Sequence, residues 1–256
     1  MKRRDLILAG VLVPAMGRAG TPCPPPLVSV LGGGSAATPC PTGGKTYSTD
    51  FTQTEAILSD GGKWTSGGIT GNRSDCASAN GRGYGLQNPL ISAPPYRDSR
   101  ACLQNMGFGP DVYAKTVVCI DPSFQGEHEL EMLFRFRMNA DGTSYGYAFD
   151  WTANSGNIYM GTEDGPNGVF NQWRSPFPIA FRAPANGDVI ECQLKGWLFT
   201  CWINGAQIFA YDVSQQSPAY PSGGGPGIGF YTDTSYGTTV SPGNTCCYSH
   251  FECHEI

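Results

Sequence analysis

Between residues 45 and 256 apolar and polar positions alternate in short runs, and no stretch keeps a 3.6-residue period. Gly, Pro, Asn and Asp clusters separate these runs, as turns separate strands. The alternation predicts strands over 46–52, 112–120, 127–138, 145–152, 157–163, 188–195, 198–203, 206–212, 226–232 and 248–255. Two pairs of runs can be aligned residue by residue. Asp141-Gly142 is a two-residue hairpin turn, because type I′ geometry needs positive φ at both positions. Centred there, Met138 faces Tyr145, Phe136 faces Tyr147, Phe134 faces Phe149 and Met132 faces Trp151. One face of this ribbon is apolar, and the aromatics Tyr145, Tyr147, Phe149 and Trp151 are assigned to the core. The other face carries Glu129, Glu131, Arg135, Arg137 and Asp150, interrupted by Leu133. A slip of one residue would mix the two faces.

The second hairpin turns at Gly196-Trp197, so that Ile190 faces Ile203, Leu194 faces Phe199 and Cys192 falls opposite Cys201. Directly paired Cα atoms lie about 4.5–5.5 Å apart, inside the disulfide window, and a Cys192–Cys201 bridge is expected. Many amphipathic strands without helices require a second sheet to cover the apolar face. The expected fold is all-β, a disulfide-braced two-sheet antiparallel jelly-roll sandwich.

Composition narrows this picture. Only 14% of the 256 residues are charged, while Gly 35, Pro 20 and 12% aromatics favour tight turns over helices. The net charge of -5 leaves no basic patch for nucleic acid. Ten cysteines without a Cys-x-x-Cys pair favour disulfides in an oxidising compartment over zinc. Residues 1–20 resemble an export signal: Lys2, Arg3 and Arg4 precede an apolar stretch too short to span a bilayer. The alternative is a retained arm that packs on a partner chain. Residues 21–44 form a Pro/Gly-rich arm, and the globular domain is expected over 45–256. The expected location is secreted or periplasmic, or else the surface of an assembled particle.

One stretch has a familiar order. Gly187-Asp188-Val189-Ile190 is followed by Trp197 to Asn204-Gly205, then by Gly223-Gly224-Gly225-Pro226-Gly227-Ile228-Gly229. This order resembles the concanavalin A-like lectin/glucanase superfamily, especially its laminin-G-like members. Thr49-Asp50-Phe51 and Trp64 are similar to the opening of such a domain. The resemblance implies a curved two-sheet jelly roll with its first and last strands adjacent. It implies no single activity, since lectins, hydrolases, lyases and adhesion modules share the fold.

If the first ribbon lines a glycan groove, Glu127, Glu129 and Glu131 project from one side at two-residue spacing. Glycosidic cleavage needs two carboxyls about 5–9 Å apart. The family's glucanases use a Glu-x-Asp-x-Glu-like strand, and Glu127-His128-Glu129-Leu130-Glu131 is similar in spacing but lacks the Asp. No residue is therefore assigned a catalytic role. Arg135, Arg137 and Tyr159 could serve a lyase, without a lyase signature to support them. His128 alternates with Leu130 and Met132 and reads as buried. Sugar binding needs aromatic platforms with planar polar neighbours, for which Trp173, Tyr220, Tyr231 and Tyr236 are available. The expected ligand-binding set is Glu131, Arg135, Arg137, Asp150 and Trp173. Asp50, Asp164 and Asp188 are the calcium candidates, but no dense acidic loop argues for the ion, and no other cofactor or metal is expected. The function expected first is lectin-like binding of a polysaccharide without chemistry. The alternatives are a structural or adhesive protein of a particle, with copies of itself as partners, and a glycan-cleaving hydrolase or lyase. No membrane span is expected.

Overall fold

The computed structural model describes residues 44–67, 74–86, 98–120, 128–141, 143–166, 169–174, 176–216, 218–220, 222–232 and 246–256. Residues 1–20, expected as a leader or retained arm, the Pro/Gly-rich stretch up to residue 43, Glu127, Gly142 and Tyr236 lie outside them. Two antiparallel sheets account for the described strands. Sheet A contains β1 (Thr46–Thr49), β3 (Cys76–Ala79), β4 (Arg82–Gly85), β6 (Val112–Ile120), β12 (Val189–Lys195), β13 (Leu198–Ile203), β14 (Ala206–Asp212) and β16 (Cys246–Glu255). Its order is β14-β13-β12-β6-β16-β4-β3, with β1 also on β16. Sheet B contains β2 (Thr65–Ser66), β5 (Asp98–Cys102), β7 (His128–Met138), β8 (Thr143–Thr152), β9 (Asn157–Pro166), β10 (Val169–Gln172), β11 (Ile179–Ala180) and β15 (Gly225–Thr232). Its order is β10-β9-β8-β7-β15-β5-β2, with β11 on β9. The fold is the expected all-β jelly-roll sandwich, and pairing of β1 with β16 joins the first and last strands.

The core lies between the sheets. Leu130, Met132, Phe134, Tyr147, Phe149 and Trp151 of sheet B pack against Ile190, Leu194, Phe199, Ile203 and Phe251 of sheet A. Phe134 meets Phe199 edge-on with centroids 5.1 Å apart. Each such aromatic removes about 150–250 Å² from water, which is what holds the two sheets together.

The β12–β13 hairpin keeps one register throughout, including Ile190 with Ile203, Cys192 with Cys201 and Leu194 with Phe199. Cys192 and Cys201 are present as buried thiols. Among the described residues a disulfide joins Cys119 on β6 to Cys247 on β16, which are direct partners with Cα atoms 4.9 Å apart. Strand alternation splits the vicinal pair: Cys247 bridges on the outer face, while Cys246 turns inward to the core.

The β7–β8 ribbon departs from expectation. Its partners are Leu130 with Trp151, Met132 with Phe149 and Phe134 with Tyr147, two residues out of the expected alignment. A two-residue offset preserves the faces, so the apolar side stays inward up to Phe134. A bulge then falls between Phe134 and Arg137, with Arg135 at φ 47°. One extra residue exchanges the two faces beyond it. Phe136 and Met138 therefore turn outward and form a second apolar cluster with Leu133, Ala148 and Cys102. Arg135 and Arg137 turn the other way.

Candidate functional site

The outer face of sheet B carries a dense group of ionisable side chains. Cross-strand pairing sets it out in rows. Arg100 on β5, Gly229 on β15, Glu131 on β7, Asp150 on β8 and Tyr159 on β9 are successive partners. The next row holds Asp98, Tyr231, Glu129 and Thr152. Direct partners project to the same side with Cβ atoms about 4.5–5.5 Å apart. Gly229 makes the row possible. A Cβ there would lie 2.3 Å from the Glu131 carboxylate, so its absence lets Arg100 and Glu131 meet across β15.

The Arg100 Nε donates to Glu131 Oε2 at 2.5 Å, and the same guanidinium pairs with Glu163 and lies 3.7 Å from Asp98. Ser144 donates its hydroxyl to Glu163 at 2.9 Å. Arg100, Glu131, Glu163 and Asp150 are buried. Burial alone would disfavour the charged guanidinium, but Glu131, Asp98 and Asp150 outweigh it and raise the Arg100 pKa. Asp150 moves the other way from a carboxylate norm. Burial first, then Glu131 and Glu129, raise its carboxyl well above the usual range and favour the protonated form. Two facing carboxyls thus have unlike neighbours, one beside a guanidinium and one beside carboxylates. Around this buried centre Asp98, Glu129, Tyr159, Tyr231 and Asn157 stay half-buried, and Asn157 donates to the Tyr159 hydroxyl at 3.3 Å.

The five expected ligand-binding residues divide between several places. Glu131 and Asp150 sit together at the centre of this face. Arg135 does not: the bulge sends it to the inter-sheet side, where it is 6% exposed. There its guanidinium donates to the carbonyls of Pro110 at 3.0 Å, Tyr220 at 2.8 Å and Gly196 at 2.5 Å, and to Asp111 at 3.3 Å. Arg137 follows it to that side and lies exposed over the Tyr145 ring, 5.2 Å from its centroid. Trp173, expected on a loop as a platform, is 5% exposed in the core. It packs on Tyr147 and Tyr211, with centroids 6.0 and 5.4 Å away. Its indole follows β10 directly, and its N–H backbone group bonds Met160 of β9. His128 is buried as expected, and burial lowers its pKa to about 4.

The calcium candidates are separate. Asp188 accepts both guanidinium arms of Arg182 at 2.6 Å, plus Asn204 and the Ala185 N–H. Asp50 pairs with His250 at 2.6 Å. Among the described residues, no group of three or more His, Cys, Asp or Glu has a metal-binding arrangement. No helix among them is long and apolar enough to cross a membrane.

Residues absent from the sequence expectation complete the centre: Arg100, Asp98 and Glu163. The run Asp98-Ser99-Arg100-Ala101-Cys102 places three polar residues before two apolar ones, so no alternation marks β5 by pattern.

No family model matches the chain, and no curated protein matches it in sequence. Solved structures do resemble it. A prokaryotic β-1,3-1,4-glucanase (lichenase) derived from a mouse hindgut metagenome matches with a TM-score of 0.52 at 11% identity, over 82% of this chain and 99% of that one. The GlcNAcα1-4Gal-releasing endo-β-galactosidase from Clostridium perfringens matches with a TM-score of 0.50 at 13% identity, over 86% and 64%. A carbohydrate-binding module from Bacillus subtilis gives 0.43 at 11% identity, over 78% and 96%. At such identities the likeness defines the fold: the chain is a concanavalin A-like jelly-roll sandwich.

Proposed function

We propose that the protein is an exported, lectin-like module that holds a polysaccharide chain against the outer face of sheet B. The observation that carries this reading is the half-buried pair Tyr231 and Tyr159, which flanks the Glu131–Asp150 centre. Three strand spacings separate β15 from β9, about 14 Å, which suits two to three sugar units. Aromatic rings take the apolar faces of sugars, while Asp98, Glu129 and Asn157 offer planar partners for hydroxyls. The buried Arg100 network acts as a fixed floor beneath them. The ligand class is carried over by analogy of fold from the glucanase and endo-β-galactosidase named above. Export is supported by the leader-like residues 1–20 and by the Cys119–Cys247 bridge. N-terminal sequencing of the mature protein tests it: cleavage near Ala19 is expected, and a retained Met1 contradicts export.

A second reading, glycan cleavage, is favoured by one observation: Asp150, with its raised pKa, stands opposite the Arg100-paired Glu131. One protonated and one ionised carboxyl are the pair that glycosidic cleavage employs. A glycan array with the full chain, followed by a reducing-end assay on each bound glycan, separates the two. Binding that drops about tenfold in Tyr231→Ala without new reducing ends supports the first reading. Reducing ends released by the native chain but not by Asp150→Asn or Glu131→Gln replace it with the second.

A further inference from the structure

The bulge that removes Arg135 and Arg137 from the outer face of sheet B builds something else with them. At the end of the sandwich where β7 finishes, Arg137 on β7, Tyr145 on β8 and Asp164 on β9 are successive cross-strand partners. Their side chains therefore share one side, with the aromatic ring between a donor cation and an acceptor anion. The Arg137 guanidinium already lies over the ring, at 5.2 Å. Tyr220 stands beside this row, its ring 6.2 Å from that of Tyr145 and inclined at 65°.

That wall is held from behind. The Tyr220 N–H donates to the Tyr147 hydroxyl at 2.7 Å, and its own hydroxyl donates to the Glu163 carbonyl at 2.6 Å. Its carbonyl accepts from the buried Arg135. Arg137 is exposed, and Tyr145, Asp164 and Tyr220 are half-buried, so a ligand can reach all four.

We propose that Arg137, Tyr145 and Asp164, walled by Tyr220, form a second sugar subsite that takes one unit of a neutral hexose chain. A pyranose ring offers an apolar C–H face and an equatorial belt of hydroxyls that both donate and accept. Tyr145 supplies the surface for the first; Arg137 can only donate and Asp164 can only accept, which suits the second. The charges of the row cancel, so a carboxylated or sulfated sugar gains no net attraction there over a neutral one. The site lies on the opposite side of sheet B from the outer-face residues, and it shares with the function proposed above only the ligand class.

The test is calorimetric titration of the full chain with three hexasaccharides: laminarihexaose, mannohexaose and hexagalacturonate. At least one neutral hexamer is expected to bind. Arg137→Gln and Asp164→Asn, both at accessible positions, are each expected to weaken it about tenfold, the size of one charge-assisted hydrogen bond. The same increments should persist in a Tyr231→Ala background, since separate sites add. Unchanged affinity in both variants overturns the subsite, and so does preferential binding of hexagalacturonate. If Tyr231→Ala abolishes binding while Arg137→Gln and Asp164→Asn do nothing, the subsite falls and the outer-face reading stands. If neither neutral hexamer binds, the subsite falls as well.

Discussion

The β12–β13 and β7–β8 hairpins begin from the same alternating pattern and end with different work to do. In β12–β13 every pair from Ile190/Ile203 to Lys195/Leu198 keeps one register, so inward residues stay inward. In β7–β8 the register shifts once, and both faces change owner beyond Phe134. The regular hairpin contributes packing. The bulged one contributes packing, a buried ionic centre and, past the bulge, a clasp: Arg135 ties the start of β6, the β12–β13 turn and the loop before β15. The ionic centre lies before the bulge, so what the single inserted residue adds to the ribbon is the clasp.

Breaking the clasp is expected to have the largest effect. Arg135→Met removes the donor shared by the carbonyls of Pro110, Gly196 and Tyr220 and by Asp111, and the unfolding free energy should fall by about 3–4 kcal/mol in urea titration. A loss under 1 kcal/mol would reduce Arg135 to a bystander of the bulge. Next comes the same substitution made in each hairpin. Gly146 sits opposite the bulge at φ 146°, where an added Cβ would approach Phe136 Cα to 2.7 Å. Gly196 has φ 57° and nothing within 4 Å of such a Cβ. Gly146→Ala should cost about 2–3 kcal/mol through overlap with the facing strand, and Gly196→Ala about 1 kcal/mol from backbone strain alone. Equal costs would remove the contrast between the hairpins.

The regular hairpin can be sharpened through its thiols. Register brings Cys192 and Cys201 face to face, and the oxidised protein is expected to join them. Mass spectrometry of the native chain should find that bridge, and its reduction should lower stability by about 2 kcal/mol. Two free thiols in the native protein would sink it.

The smallest effect is a pH contrast between the sheets' outer faces. On sheet A, the His250 hydrogen bond, helped by Lys115 and opposed by burial, lowers Glu252 to about 2. Its contribution is present above the ordinary carboxylate pKa and is lost as pH falls from about 4.5 toward 2. Glu252→Gln should therefore cost about 1 kcal/mol at pH 6 and nothing near pH 2. Asp150 on sheet B has the opposite sign. Its raised pKa means the folded state binds the proton more tightly, so stability declines as pH rises above about 4. Asp150→Asn should flatten that decline, and unfolding curves between pH 2 and 8 would show both slopes.

Much of this architecture is legible in the chain. The windows 112–120, 198–203 and 206–212 coincide with β6, β13 and β14, because each is a short apolar-rich run set off by turn residues. Cys192 opposite Cys201 is legible because a tight turn leaves no slack in the pairing. Glu131 and Asp150 share a face in either alignment of β7–β8, since a two-residue offset preserves parity. Arg135 and Arg137 could not be placed the same way. Their position depends on a positive φ at a non-glycine residue, which carbonyls from three distant segments hold in place. Trp173 misled for a related reason: polar neighbours Asn171, Gln172 and Arg174 suggest a loop, while Tyr147 and Tyr211 bury the indole.

By itself, the sequence determined which residues alternate, where the chain turns, and hence that two sheets must close over an aromatic core. Those properties are local, set by side-chain period and turn chemistry. The tertiary structure alone decided that Arg100 reaches Glu131 across Gly229, that a bulge hands two arginines to the end of the sandwich, and that burial with Glu131 and Glu129 outweighs Arg100 at Asp150. Each depends on which strand lies next to which, and strand order is fixed by packing between segments far apart in the chain.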